Sequence, residues 1–166
     1  FTRDDVKFEI FKKLVKKGSI VRGIVTKQTI DQPRSFFDNI DKWAKSEGAS
    51  GLAYFSIEKD KNISGKGPIG KFFSENALKE IMEISSAELG DSIFLACGPT
   101  KEVEKILSLA RTKIAEELNL LKEDSFAFCW IVDYPMFEED ELTKKIKFSH
   151  NPFSMPQGKM EDLDLS

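Results

Sequence analysis

Apolar positions recur every three or four residues from Asp4 to Lys17, where Val6, Ile10, Phe11, Leu14 and Val15 share one face, and Gly18 stands where a left-handed residue ends a helix. A β-branched run over 20–26 follows and reads as a strand, with Gly23 marking a bulge or the close approach of another backbone. Pro33 suits the first turn of a second helix, whose Phe36, Phe37, Ile40, Trp43 and Ala44 fall on one side before Gly48. Residues 51–57 read as a second strand, and the polar, glycine-bearing residues 58–67 as a loop or hairpin connection. Ser74 is placed to cap a third helix, with Glu75 at its positive end and Leu78, Ile81 and Met82 along its buried side. Gly90-Asp91 turns the chain into a third strand over 92–97, which Gly98-Pro99 ends. Thr100 stands as the cap of the most regular helix, whose stripe is Val103, Ile106, Leu107, Ala110, Ile114 and Leu118.

This alternation fits either a doubly wound parallel sheet or a layered α+β fold, and periodicity does not choose between them. Beyond it the pattern changes. Residues 126–132 are apolar throughout and rich in aromatic and β-branched types, so they read as a strand buried on both faces. Asp133 opens its polar end, and Tyr134-Pro135 interrupts pairing because proline has no N–H to donate. An extended run resumes at 136–138, a charged turn occupies 139–145, and a returning strand leads to His150, the chain's one histidine.

Composition narrows the class. Among 166 residues, 40% are apolar and 14 are phenylalanine, enough for a substantial core. No apolar run approaches the roughly 18 residues of a membrane span, and no basic-then-apolar segment opens the chain, so a cytoplasmic protein is expected. The balance of 25 Lys+Arg against 28 Asp+Glu lacks the cationic footprint of a stand-alone nucleic-acid binder, and Lys12, Lys13, Lys16 and Lys17 read as the solvated side of the first helix. Cys97 and Cys129, both in apolar surroundings, read as reduced core thiols; with a single histidine, a zinc site is not expected.

The run Trp130, Asp133, Tyr134, Pro135, Met136, Phe137, Glu138, followed by His150, Pro152, Phe153, Ser154 and Pro156, resembles the bacterial-type aspartyl-tRNA synthetases, a class II family. Asn151 stands where that family has a second histidine. The segments Gly51-Leu52-Ala53-Tyr54, Gly67-Pro68-Ile69-Gly70-Lys71-Phe72 and Gly90-Asp91-Ser92-Ile93-Phe94 are similar to the GAD domain inserted in those enzymes. The resemblance implies an α+β fold: a GAD insertion domain over 1–123, a two-layer sandwich of a small, largely antiparallel sheet with helices on one face. Residues 124–166 would be a returning segment of the class II catalytic core, whose strands, taken out of their sheet, expose edges and apolar surface. The arginine-bearing motif 2 and the glycine-rich motif 3 of such enzymes are not found, so the chain is expected to be a piece of a longer enzyme and inactive alone.

For that longer enzyme the resemblance implies activation of L-aspartate with ATP and Mg²⁺, transfer to tRNA-Asp, and a homodimeric state. The chain itself is expected to hold neither cofactor nor metal. Family likeness places His150 beside the amino-acid pocket, binding aspartate, with Ser149 and Asn151 as active-site neighbours; a cationic imidazole would favour an anionic side chain over uncharged competitors. A lone histidine in a surface turn is the plainer alternative. Asp133 and Glu138 lie too far apart in an extended chain for joint chemistry, which leaves a structural role for the first and a solvated strand end for the second. GAD domains also occur in the B subunit of the tRNA-dependent amidotransferase, so a non-catalytic interaction module is the rival function. Gly65 to Lys71 matches the spacing of a phosphate loop, yet Phe72 replaces the hydroxyl residue needed for Mg²⁺ and Pro68 removes an N–H.

Overall fold

The run read as the third strand lies inside a four-stranded antiparallel sheet in the computed structural model, which describes residues 5–122, 124–132, 135–140 and 142–149. The chain divides into two units, Phe1–Leu121 and Lys122–Ser166. In the first, the elements are α1 (Glu9–Lys16), β1 (Ile20–Thr26), α2 (Arg34–Ser46), β2 (Ala53–Lys59), β3 (Ile63–Lys66), a 3₁₀ turn (Gly70–Phe72), α3 (Glu75–Ser85), β4 (Ser92–Gly98) and α4 (Thr100–Glu117). The sheet order is β1-β4-β2-β3, every pair antiparallel. That excludes the doubly wound parallel alternative and establishes the α+β class.

Helices cover both faces of this sheet, which corrects the expectation of a two-layer sandwich with helices on one face. Phe11 of α1 and Ala77 and Leu78 of α3 pack with Phe55, Ile57, Ile93 and Leu95. On the opposite face Phe37, Ile40 and Ala44 of α2, and Val103, Ile106, Leu107, Ala110 and Ile114 of α4, pack with Phe94 and Ala96. The reason lies in β4. Successive strand residues point to opposite faces, and this strand is apolar at Ile93, Phe94, Leu95 and Ala96 alike, so one helical layer would have left Phe94 in water. Phe94 is instead fully buried, a gain of about 1.5–3 kcal/mol for a side chain of this size. Its ring packs beside Phe37, Phe36 and Tyr54 at 5.7, 6.2 and 6.1 Å between centroids.

Local expectations are met in most elements. Ser74 caps α3 by accepting the Ala77 N–H at 3.0 Å, and residues 58–67 form the hairpin between β2 and β3. Pro33 rather than a residue within the first turn occupies the position before α2. Thr100 does not cap α4: Pro99 holds that place without a side-chain acceptor, and Thr100 is the first helical residue. The β1–β4 ladder runs unbroken past Gly23, so no bulge forms. A Cβ there would sit 2.7 Å from Leu95 Cδ2 and 3.0 Å from the Phe94 carbonyl oxygen, and the glycine serves close approach. The segment with phosphate-loop spacing folds as the end of β3, a turn and the 3₁₀ turn. Its first and last glycines press backbone to backbone, a Cβ on Gly70 falling 2.2 Å from the Gly65 carbonyl oxygen.

In the second unit β5 (Phe137–Glu139) and β6 (Ile146–Phe148) form the expected reversal, an antiparallel hairpin. Residues 126–132 do not form the expected buried strand: none lies in a strand, and Phe126, Phe128 and Trp130 are 92%, 98% and 95% exposed. Cys129 is exposed with them, so only Cys97 keeps a partly buried thiol. Apolar and β-branched content favours a strand only where neighbours accept its backbone bonds and cover its faces.

Candidate functional site

The expected site begins at the hairpin of the second unit. Phe137 and Phe148 are directly paired, rings 4.9 Å apart, and Glu138 faces Lys147 at 3.5 Å. Asp140 organises the turn. Its Oδ1 accepts the Leu142 and Thr143 N–H groups at 3.1 and 2.8 Å and the Thr143 hydroxyl at 3.0 Å, while Oδ2 lies 3.3 Å from Lys147 Nζ. The Thr143 and Lys147 hydrogen bonds hold the Asp140 carboxyl down at about 2, and Lys147 is raised in turn, chiefly by its bond to Asp140. Glu138 is half exposed, as expected of a solvated strand end.

At the other end of β6, Ser149 is half-buried and tied to the opposite strand. Its N–H donates to the Met136 carbonyl at 3.0 Å, and its hydroxyl donates to the Pro135 carbonyl. His150, Asn151 and Asp133 lie outside the described residues, so the structure brings Ser149 alone of the three expected site residues into view.

Two carboxylates that sequence reasoning passed over organise the first unit. Asp91, read only as part of a turn, is fully buried. It accepts the Gln28 and Glu88 N–H groups at 2.9 and 2.8 Å and pairs with Lys27 at 3.0 Å. Burial pushes its carboxyl up, but the two backbone donors and Lys27 together outweigh burial and leave it below the usual carboxylate range. Asp41 accepts the Leu52 N–H at 2.9 Å and the Lys45 ammonium at 2.6 Å, fixing the entry to β2 against α2. The signal for Asp91 was an aspartate in a turn and for Asp41 an aspartate within a helix, both too common to single out an anchor.

Clefts in the first unit are shallow. One of about 150 Å³ lies between the 47–51 loop, the end of β4 and the start of α4; another, of about 360 Å³, lies beside Ile10, Leu14, Leu52 and Pro68. Cys97 borders both, its thiol pushed up by burial and therefore a poor nucleophile. Among the described residues no three His, Cys, Asp or Glu side chains converge to hold a metal ion. Nor is any helix among them long and apolar enough to cross a membrane.

Comparison with known proteins covers both units. The chain is 71% identical over 165 residues to the aspartate–tRNA(Asp/Asn) ligase of Pelagibacter ubique (strain HTCC1062), spanning 99% of this chain and 28% of that protein. It is 48% identical over 164 residues to the enzyme of the same name from Beijerinckia indica subsp. indica, again 28% of that protein. To the one from Rickettsia bellii (strain OSU 85-389) it is 46% identical over 160 residues, covering 96% of this chain and 26% of that protein. The chain thus spans little more than a quarter of the length of the curated relatives it matches. The model of the GAD domain matches residues 11–107, from within α1 to within α4, a stretch that holds the four-stranded sheet with α2 and α3 entire: this chain belongs to the GAD domain family.

Proposed function

We propose that this chain is one section of an aspartate–tRNA ligase, the enzyme that activates L-aspartate with ATP and transfers it to tRNA. The observation that carries this reading is the 71% identity to the Pelagibacter ubique ligase across 165 residues, including the hairpin unit. A match running through both units favours the ligase over a non-catalytic GAD module, which would account only for the first. Residues 1–123 would form the GAD insertion and 124–166 the return into the catalytic core. The substrates would be L-aspartate, ATP and tRNA-Asp, with tRNA-Asn added by the names of the relatives, and the whole enzyme would be a cytoplasmic homodimer. Mg²⁺ would neutralise the ATP phosphates, held by parts of the enzyme other than the residues described here.

His150 is proposed to bind the aspartate side chain, with Ser149 and Asn151 as its neighbours. The support is its place one residue beyond a hairpin whose turn and ends are pinned by Asp140 and Ser149, since precise positioning is what such sites supply to catalysis. The test is His150→Ala in the full-length ligase. A rise in KM for aspartate, with KM for ATP unchanged, is the expected outcome; unchanged aspartate kinetics would remove His150 from the pocket.

A further inference from the structure

We infer that the first unit carries a binding groove for a free nucleoside monophosphate, with the base against Tyr54 and Phe37 and the phosphate on Lys66 and Arg34. Strand register builds the groove. Successive residues of a strand alternate between faces, so Tyr54 and Ser56 of β2 share one face, and Lys66, paired with Ser56 across the β2–β3 ladder, joins them. On that face α2 and α4 bury Phe94 and Ala96 of β4, but no residue of β3 belongs to the core they form. Ser64 and Lys66 are accordingly exposed. Between this uncovered edge and the start of α2 lies a groove of about 320 Å³, whose walls include Gln32, Arg34, Phe37, Tyr54, Lys66 and Gly67 and, among the described residues, no carboxylate. Its volume falls in the range of small-molecule sites, roughly 300–1,000 Å³. A Cβ on Gly67, at φ +112°, would sit 3.2 Å from Tyr54 Cε2, so glycine keeps the groove open beside the ring.

The lining suits one planar base and one phosphate. Phe37 and Tyr54 stack at 4.2 Å and 10°, and Tyr54, half-buried where Phe37 is buried, is the ring a base can reach. Burial and then Asp38 push its hydroxyl up, Arg34 pulling it back, so it stays a neutral donor. Gln32 is exposed, and its amide offers both a donor and an acceptor to a base edge. Arg34 is partly neutralised by Asp38 at 3.4 Å; Lys66 forms no ion pair among the described residues and is the cation left for a phosphate. An RNA strand would need a continuous cationic track. Here Asp31 adjoins Gln32, and Glu58 shares the Lys66 face through its pairing with Ser64, so the positive charge serves a single phosphate.

The experiment is titration of the 166-residue chain with AMP, adenosine, inorganic phosphate and a single-stranded oligoadenylate of about six nucleotides, followed by calorimetry and by amide NMR shifts. Expected is saturation of one site by AMP below about 10 mM, with adenosine and phosphate each binding at least about tenfold more weakly. The largest shifts should fall at Gln32, Arg34, Lys66 and Gly67. Lys66→Gln should weaken AMP about tenfold by removing a charge-assisted contact, and Tyr54→Leu about tenfold by removing the ring. Lys71→Ala, outside the groove, should change nothing. Should Y54L fail to fold, Gln32→Ala at an exposed position takes its place, with an expected loss of about fivefold. AMP binding that does not saturate, shifts that map elsewhere, or K66Q binding AMP as the parent does would overturn the site. Phosphate binding as tightly as AMP would remove the rings from it. Oligoadenylate binding more than about tenfold tighter than AMP would make the groove an RNA contact, and either result overturns the assignment to a free nucleotide.

Discussion

Two apolar runs of similar length, residues 92–98 and 126–132, reach opposite ends. The first becomes β4, paired on both edges and covered on both faces, with Ile93, Phe94 and Ala96 at 3%, 0% and 3% exposure. The second forms no strand, and Phe128 and Trp130 stand almost wholly in solvent. Their composition is alike, so the difference is made elsewhere. Around β4 the chain supplies β1, β2 and four amphipathic helices; around 126–132 the described residues supply no strand to pair with. An apolar run is a request for partners, and its structure depends on whether they are within the same chain.

That contrast can be broken most forcefully at the two phenylalanines. Phe94→Ala should destabilise the first unit by about 3–5 kcal/mol, since it opens a cavity beneath three other rings. Phe128→Ala should change the unfolding free energy by no more than about 0.5 kcal/mol. Urea unfolding of the isolated chain followed by circular dichroism measures both, and equal effects would erase the distinction. Next in size is Gly70→Ala, which drives a methyl into the Gly65 backbone and should cost about 3 kcal/mol. The same unfolding curves report it.

Asp91 sharpens the comparison in a pH-dependent way. Asp91→Ala should cost about 2 kcal/mol at pH 7, because two backbone donors and Lys27 lose their acceptor. The folded carboxyl lies below its unfolded range. Its contribution is therefore complete above the unfolded value near 3.9 and is lost as pH falls through the lower folded value. The gap between wild type and variant should narrow below about pH 4, as thermal melts across pH would show. The smallest effect concerns Asp140, whose carboxyl should titrate near 2 by NMR; Thr143→Ala should raise that midpoint without altering the melting of the first unit.

Much of this fold was legible in residues. The helical stripes of α2 and α4 and the Ser74 cap follow from period and turn chemistry, because they are decided within a few residues of themselves, whereas Gly23 read equally as a bulge or a close approach until β4 was placed beside it. The second helical layer was legible too, in the uninterrupted apolar letters of β4, but a likeness to a two-layer sandwich hid it. What could not be read was long-range. Whether 126–132 finds a partner, and whether Asp91 is a buried anchor or an ordinary turn residue, depends on segments distant in sequence, Gln28 being 63 residues from Asp91. Of the site, the reversal leading toward His150 was legible from Pro135 and the charged turn, whereas the clamp at Ser149 emerges only when the two strands are aligned.

The most direct test of the account as a whole is aspartate-dependent exchange of pyrophosphate into ATP, measured side by side for the full-length protein and for residues 1–166 alone. The account predicts exchange by the full-length protein with aspartate and not with asparagine or glutamate, and none by the isolated chain. Exchange by the isolated chain, or a full-length protein indifferent to aspartate, would contradict it.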